Sequence, residues 1–269
     1  MIDRADSGLV HDLHPSPNID ERVCGAPPRL LILHYTGMKT CVRAIDWLSR
    51  RESKVSCHYV IDCDGRITQM VAETQRAWHA GVSYWQGITD VNSASIGIEI
   101  HNPGHDDGYP EFPEPQMRAV RDLGLDIVAR WKIPAGGVLG HSDVAPARKM
   151  DPGEKFDWHW LAQAGVGTWV EPEPVGPLIG AVSDAMGADE IARAQRMMLA
   201  YGYGLAITGQ NDKQSRTVVR AFQRHFRPAR VDGLVDHSTI VTLERLLTDA
   251  GISKAEASDL QSSSMTVSS

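Results

Sequence analysis

Residues 57–71 read CHYVIDCDGRITQMV and contain two largely apolar runs on either side of the polar stretch DCDGR. Apolar, β-branched runs bounded by turn residues are typical of strands, and an Asp-Gly pair between two of them indicates a hairpin. Similar runs occur at residues 29–34 (RLLILH), 95–101 (SIGIEIH) and 137–141 (GVLGH). The first part of the chain is therefore predicted to contain a β-sheet.

Two longer segments between these runs have the spacing of amphipathic helices. They are residues 41–53 (CVRAIDWLSRRES) and residues 114–131 (EPQMRAVRDLGLDIVARW). In the second segment, apolar residues recur three or four positions apart and share one helical face: Met117, Val120, Leu123 and Ile127. Strands that alternate with helices predict a layered domain of the α/β or α+β class.

The composition changes at residues 169–180 (WVEPEPVGPLIG), where three prolines accompany two glutamates and two glycines. Such a stretch is typical of an extended, solvated linker. Downstream, three amphipathic segments predict a small helical domain, followed by a Ser-rich tail without apolar periodicity that is expected to be disordered. The predicted organisation is an N-terminal extension (1–23), a first domain (24–170), a linker (171–182), a helical domain (183–251) and a tail (252–269).

The whole chain has 269 residues, a net charge of −7 and a sequence pI near 5.9. No overall positive charge draws it to nucleic acid or anionic lipid, so neither is an expected partner. The N-terminal sequence lacks a basic region followed by an apolar one, and no long apolar run occurs, so neither a signal peptide nor a membrane span is expected and the protein is predicted to be cytoplasmic. Four cysteines without a C-x-x-C pair predict free thiols: Cys24, Cys41, Cys57 and Cys63.

Reactive side chains fall at the ends of the predicted strands, where open α/β sheets place their sites. His34 and His141 end two strands, and Glu99 lies within a third. The Pro-punctuated loop at residues 140–153 (GHSDVAPARKMDPG) adds Lys149 and Asp151. Two imidazoles and the carboxylate of Asp151 suit a catalytic zinc with an open position for water, which predicts a hydrolase.

Five segments, in this order along the chain, resemble the signatures of one family. They are LILHYTG, SCHYVIDCDGRITQMV, RAWHAGVSYWQG, NSASIGIEIHNPG and GHSDVAPARKMDPGEKFDW, within residues 29–169. They are similar to the zinc-dependent N-acetylmuramoyl-L-alanine amidases of the amidase-2 family, in the AmpD and AmiD branch. The resemblance implies a mixed β-sheet flanked by helices, with one Zn²⁺ per chain held by His34, His141 and Asp151. It also implies hydrolysis of the amide between N-acetylmuramic acid, or its anhydro form, and L-alanine in peptidoglycan or muropeptides.

This reaction and the resemblance together assign roles to further residues. Amide hydrolysis needs a nucleophile, stabilisation of an oxyanion and a proton for the departing amine. Glu99 is predicted to be the general base and then the general acid, and Lys149 to stabilise the oxyanion. His79, Trp78 and Tyr35 are predicted to contact the substrate.

The remaining conspicuous side chains are assigned structural positions. His58 is predicted to be a core histidine with a hydrogen-bond partner. His101 and His105 are expected to be exposed loop residues, and His11 and His14 to belong to a loose leader. Trp85 fits either core packing or stacking on a sugar.

Residues 190–247 resemble the peptidoglycan-binding type 1 module, with GYG, TGQND, VVRAFQRHF and VDGLVDHST at the places of that family. This resemblance implies cell-wall peptidoglycan as a partner and favours the periplasm or cell envelope, in conflict with the cytoplasmic expectation above. The chain is expected to be a monomer. Deleting residues from about Val182 onward is expected to leave the first domain folded and active on small muropeptides.

Two other functions remain open at this point. One is a catalytically silent peptidoglycan-recognition protein on the same fold, and the other is a zinc peptidase that cuts elsewhere in the stem peptide. The intact set of reactive residues favours the amidase: His34, Glu99, His141, Lys149 and Asp151.

Overall fold

A mixed β-sheet lies at the centre of the computed structural model, which describes residues 2–176, 186–253 and 257. Its strands are β1 (Asp12–Leu13), β2 (Ile19–Glu21), β3 (Leu30–Tyr35), β4 (Tyr59–Ile61), β5 (Ile67–Gln69), β6 (Gln75–Ala77), β7 (Ser95–Ile100) and β8 (Val138–Gly140). Within the described residues, six of them form one sheet in the order β1-β5-β4-β7-β3-β8, and β2 pairs with β6 separately. The predicted mixed central sheet is confirmed.

The sequence predicted the strands that cross the middle of this sheet. Strand β3 is parallel to both β7 and β8, and β7 is parallel to β4. The first five residues of β3 are buried, as expected of a central strand covered on both faces. Strands β4 and β5 are antiparallel, and the turn between them is closed by the bond from Gly65 N to Asp62 O at 2.9 Å. The predicted hairpin is therefore confirmed.

Helices cover the sheet. In the first part of the chain they are α1 (Cys41–Leu48), α2 (Val91–Ala94), α3 (Glu114–Trp131), α4 (His141–Val144) and α5 (Trp158–Gln163). The apolar stripe of α3 packs in one cluster with the strands, and Val120, Leu123 and Ile127 are completely buried there. Thr40 caps α1 by accepting a hydrogen bond from Arg43 N. Both predicted helices are confirmed, although α1 ends at Leu48 rather than at the predicted Ser53.

The N-terminal segment is part of the fold, so its interpretation as a loose leader is wrong. Strand β1 pairs with β5, and β2 pairs with β6. His11 N donates to Ile67 O at 2.9 Å, and the buried Arg22 guanidinium donates to the carbonyls of Ser93 and Ser95 at 2.8 and 2.9 Å. Strands of two or three residues are too short to show an alternating pattern, which is why the sequence did not reveal them.

The C-terminal part contains the three predicted helices, α6 (Ala188–Tyr201), α7 (Lys213–Phe226) and α8 (His237–Asp249). Asp212 caps α7, and Asp236 caps α8. Residues 177–182 of the predicted linker, and residues 254–256 and 258–269 of the predicted tail, lie outside the described residues.

These helices share an apolar core with the first domain. Trp85 is completely buried and contacts Tyr201 and Tyr203 edge to face, with ring centroids 5.6 and 5.0 Å apart. The same cluster contains Val144 and Phe222. Trp85 is therefore a core residue rather than a sugar platform, and the helical part is not a bundle closed only on itself.

Two other predictions can be compared with the structure. All four cysteines fall in the described part of the chain and are free thiols, as predicted. Among the described helices, none combines the length and the apolarity needed to cross a membrane.

Candidate metal centre and active site

The parallel pairing of β3 with β7 brings two reactive residues side by side. His34 and Glu99 are directly opposite each other in the register of these strands. On the other side of β3, strand β8 ends at Gly140, and His141 is the first residue of α4 rather than the last residue of a strand. Asp151 returns to the same place because Ser142 N donates to its carbonyl at 2.9 Å.

Three donor atoms converge at this edge of the sheet. The Nδ1 atoms of His34 and His141 are 2.8 Å apart, and Oδ2 of Asp151 lies 3.2 and 3.0 Å from them. All three residues are buried, and together they could hold a metal ion. The loop has therefore brought together His141 and Asp151, ten residues apart, as the sequence predicted.

The outer ring nitrogens of the two histidines are fixed by hydrogen bonds. Nε2 of His141 donates to the carbonyl of Ala80 at 3.2 Å. Nε2 of His34 lies 3.0 Å from Nδ1 of His79. The other ring nitrogen of His79, Nε2, lies 3.2 Å from Oγ of Ser95. The Ser95 hydroxyl in turn donates to Val91 O. A consistent set of tautomers puts the protons on the Nε2 atoms of all three histidines. It leaves the Nδ1 lone pairs of His34 and His141 facing Asp151.

The electrostatics agree with a ligand set. Burial, and after it the neighbouring His141 ring, lowers the pKa of His34 to about 4, so its imidazole is neutral at pH 7. Although burial opposes it, the two imidazoles lower the pKa of Asp151, which stays ionised. Neutral imidazoles and an ionised carboxylate are the forms that bind a metal.

Glu99 is in a different environment. Burial is the main cause that raises its pKa well above the ordinary value; Asp151 acts in the same direction and Lys149 in the opposite one. Its Oε2 atom is buried and has no hydrogen-bond partner among the described residues. A divalent cation at the neighbouring donors would lower this pKa, as Lys149 does. A carboxyl with a raised pKa and an unused oxygen is suited to take up and release a proton.

A cavity of about 450 Å³ opens onto these groups. It is lined by every residue that the sequence assigned to the site except His34, which is buried behind it: Tyr35, Trp78, His79, Glu99, His141, Lys149 and Asp151. The described pairings of His79 use both its ring nitrogens, so its geometry is that of a residue that orients His34.

Several residues that support the site escaped the sequence analysis. Oδ1 of Asn92 accepts hydrogen bonds from the backbone N–H groups of His79 and Ala80, at 3.0 and 2.7 Å. Arg148 donates to the carbonyls of Ala80 and Val82. Asn92 and Arg148 carry no local signal for these roles, because each acts on backbone that is distant in sequence.

His58, His101 and His105 differ in their surroundings. His58 is completely buried, and its Nδ1 accepts a hydrogen bond from Gly97 N at 3.0 Å, so the prediction of a core histidine is confirmed. His101 and His105 are not the exposed loop residues that were expected. His101 is 9% exposed, and His105 stacks on Tyr109 at 4.1 Å while contacting the hydroxyl of Tyr35. Both lie in the segment after β7, where His101 contacts Thr36 and His105 contacts Tyr35.

The helical part reaches the loop that carries His141. Asp143, two residues further along, accepts hydrogen bonds from Nδ1 of His225 and from the hydroxyl of Tyr203, both at 2.7 Å. Its Oδ2 also accepts the N–H of Gly140 at 2.8 Å. The three side chains are almost completely buried, so this network joins α4 to the C-terminal helices through the interior.

The family of the protein follows from comparison with known sequences. Residues 25–154 match the family model described as N-acetylmuramoyl-L-alanine amidase, and residues 187–257 match the one described as putative peptidoglycan binding domain. The first match contains the whole candidate metal centre, and the second contains the three C-terminal helices. These matches define the class of protein as an amidase with a C-terminal module.

Two relatives agree with the amidase match, and the alignment with the first also extends into the C-terminal part. The N-acetylmuramoyl-L-alanine amidase AmiD of Escherichia coli (strain K12) is 34% identical, over 83% of this chain and 83% of that protein. The 1,6-anhydro-N-acetylmuramyl-L-alanine amidase AmpD of Haemophilus influenzae is 40% identical, over 57% of this chain and 92% of that protein. The chain belongs to the N-acetylmuramoyl-L-alanine amidase family.

Solved structures place the whole fold in the same group. AmiD from E. coli, in complex with the substrate anhydro-N-acetylmuramic acid-L-Ala-D-gamma-Glu-L-Lys, has a TM-score of 0.72 at 34% identity, covering 85% of this chain and 92% of that one. AmpDh3 from Pseudomonas aeruginosa has a TM-score of 0.71 at 32% identity, covering 83% and 92%. The similarity extends well beyond the first domain.

Proposed function

We propose that this protein hydrolyses the amide bond between the lactyl group of N-acetylmuramic acid, or its anhydro form, and L-alanine, in peptidoglycan or muropeptides. The observation that carries the proposal is the convergence of His34, His141 and Asp151 next to a cavity that is also lined by Glu99, whose Oε2 atom has no hydrogen-bond partner among the described residues. The substrate class is supported by the relative AmiD, whose solved complex contains an anhydromuramyl peptide.

One Zn²⁺ per chain would be held by His34 Nδ1, His141 Nδ1 and a carboxylate oxygen of Asp151. The donor set fits, because two neutral imidazoles and one ionised carboxylate are the usual protein ligands of a catalytic zinc. When bound, zinc lowers the pKa of water and acts as a Lewis acid towards a carbonyl oxygen. The hydrogen bonds of His141 to Ala80 and of His34 to His79 would hold the two rings in the ligand orientation.

The remaining chemistry is assigned to residues of the cavity. Glu99 takes a proton from the attacking water and passes it to the departing amine of the stem peptide. Lys149 places its ammonium near the oxyanion that forms at the carbonyl. Trp78 and Tyr35 contact the sugar or the peptide, whereas His79 positions His34 rather than the substrate.

The catalytically silent alternative is not favoured. A recognition protein would need the cavity but neither the convergent donors nor a carboxyl with an unpaired oxygen, and this chain has both. The amidase names of its full-length relatives support the enzyme as well.

The C-terminal helices are proposed to bind peptidoglycan, as their family match suggests. Such binding would raise the local concentration of cell-wall substrate at the catalytic cavity. It favours the cell envelope as the place of action, with the cytoplasm as the alternative if the substrates are recycled muropeptides. Cell fractionation decides between the two, and size-exclusion chromatography with light scattering tests the expected monomer.

A defined muropeptide tests the proposed reaction. Anhydro-N-acetylmuramic acid linked to a tripeptide is incubated with the purified protein, and the products are identified by mass spectrometry. We expect two products, the free sugar acid and a peptide with an N-terminal L-alanine. A cut within the stem peptide would instead support the peptidase, and an unchanged substrate would support the silent recognition protein.

Removal of the metal should abolish this hydrolysis. Treatment with a chelator is expected to reduce activity to background and to lower the melting temperature, because a bound metal stabilises the folded state that binds it. Addition of Zn²⁺ should restore both quantities, while Mg²⁺, which prefers oxygen ligands, should restore neither. Full activity in protein shown to be free of metal would refute the proposed centre.

Lys149→Met should separate binding of the metal from stabilisation of the oxyanion. We expect the zinc content to stay at the wild-type level and kcat to fall about a hundredfold to a thousandfold, the loss typical of removing one oxyanion donor. Lys39→Met is the matched control, because this lysine is exposed and faces Asp107 at 4.0 Å. Equal rates in the two variants would remove Lys149 from the mechanism.

A further inference from the structure

A second group of side chains that could hold a metal ion lies at the same edge of the sheet, on the far side of β7 from His34. Asp62 and Cys63 follow strand β4, and His101 follows strand β7. These strands are parallel neighbours with Ile61 opposite Ile100, so the residues that follow them meet. One donor atom from each of the three side chains lies within 4.8 Å of the others.

His101 is held in a state that suits a ligand. The hydroxyl of Thr36 donates to Asn102 O at 3.1 Å, so the same oxygen can accept a hydrogen bond from Nδ1 of His101, also at 3.1 Å. This tautomer leaves the lone pair on Nε2. Burial lowers the pKa of His101, which keeps its imidazole neutral at pH 7.

The backbone around the cluster is fixed before any ligand arrives. The side-chain amide of Gln116 donates to the carbonyls of both Ile61 and His101, at 3.2 and 2.8 Å, and so ties the two strand ends together. Oδ1 of Asp62 accepts the N–H of Cys63 at 2.7 Å, which sets the orientation of the carboxylate. The two strand ends next to the cluster are thus joined by buried hydrogen bonds.

A second thiol faces the same carboxylate. Cys41, the first residue of α1, is buried, and mainly because of burial, with the Asp62 carboxylate next in effect, its pKa is raised to about 12. The pKa of Cys63 is raised for the same reasons. Both thiols are therefore protonated in the absence of a cation, and binding of a thiophilic metal would release a proton.

We propose that Asp62, Cys63 and His101 form a second metal site, selective for Zn²⁺ or a similar thiophilic divalent cation. Sulfur, imidazole and carboxylate together match the preferences of zinc and not those of Mg²⁺ or Ca²⁺. The site differs from the proposed catalytic centre in containing a thiol. It would brace the ends of β4 and β7, and hydrolysis would not depend on it.

Cobalt distinguishes the two sites by their donors. Metal-free, full-length protein is titrated with Co²⁺ under reducing conditions, and the near-ultraviolet band of thiolate-to-cobalt charge transfer is followed. The catalytic centre has no thiolate, so this band reports on the second site alone. We expect wild-type protein to show the band and to bind two equivalents of Zn²⁺ by elemental analysis after gel filtration.

Variants complete the test. Cys63→Ser should lose the band and bind one equivalent while its hydrolysis of muropeptide stays at the wild-type rate, and Cys24→Ser, at an exposed cysteine far along the chain, should behave as wild type. Asp151→Ala should keep the band and one equivalent even though catalysis is lost. The absence of the band in wild-type protein, or its persistence in Cys63→Ser, would overturn the second site without bearing on the amidase.

Discussion

Asp151→Ala is expected to lose the catalytic zinc and activity together, whereas Glu99→Gln is expected to keep the catalytic zinc and lose turnover. The alanine variant removes one of three converging donors, and two imidazoles alone do not make a catalytic zinc site. The glutamine variant preserves the size of the side chain but cannot accept a proton, so kcat should fall by a factor of about 10² to 10⁴. Metal analysis by mass spectrometry and steady-state rates on a defined muropeptide measure both effects.

A matched control is available on the rim of the same cavity. Asp106 lines the cavity but is not among the converging donors, so Asp106→Asn makes the same change from acid to amide elsewhere in the cavity lining. Its zinc content and kcat should stay close to those of the wild type. If Glu99→Gln lost its zinc, Glu99 would be a ligand; if it kept full activity, another group would have to move the proton.

The central strands and the long helices could be predicted because their signals are local. The runs that became β3, β4 and β7 are continuous and apolar, and the stripe on α3 repeats every three or four residues. The hairpin between β4 and β5 was equally visible, since Asp-Gly pairs encode tight turns. Strands β1 and β2 have two and three residues and pair with strands more than fifty positions away. Their own sequence therefore could not predict them.

The same distinction separates the predicted site residues from the missed ones. His34, Glu99 and the loop from His141 to Asp151 were visible because strand ends and a family resemblance marked them. The orienting role that we propose for His79 was not visible, because a histidine that orients another histidine has the same local sequence as one that contacts a substrate. The distances of 3.0 and 3.2 Å from its two ring nitrogens to His34 and Ser95 support the orienting role.

The greatest difference between sequence and structure concerns the independence of the two domains. An amphipathic helix shows that one face is covered, but it does not show what covers that face. The sequence therefore suggested that α6, α7 and α8 pack only on one another. In the structure, the face of α7 next to Phe222 and Phe226 belongs to a cluster that includes Leu30 and Trp85 of the first domain.

A chain that ends at residue 176 is accordingly expected to fold poorly and to lose hydrolysis of small muropeptides as well as of the cell wall. The truncation would expose Trp85 and its apolar neighbours, at about 1.5–3 kcal/mol for each large side chain. Three or more such losses approach the whole stability of a typical domain, about 5–15 kcal/mol. Circular dichroism, thermal melting and the muropeptide assay on the truncated and full-length proteins measure the effect.

A pair of point variants shows whether the buried hydrogen bond between His225 and Asp143 contributes to this loss of stability. In the wild type, His225 stacks on Trp158 with ring centroids 3.8 Å apart, and His225→Phe should keep this stacking. The variant removes the hydrogen-bond donor to Asp143, so we expect the free energy of unfolding to fall by about 1–3 kcal/mol. His237→Phe changes an exposed histidine of the same domain and should alter stability by less than about 0.5 kcal/mol.

If the truncated chain melted at the wild-type temperature and cleaved small muropeptides at the wild-type rate, the C-terminal helices would be a separable module and the shared core would contribute nothing to the catalytic fold. Because Asp143 also holds the N–H of Gly140 next to His141, we expect instead that the helices and the metal centre lose their order together.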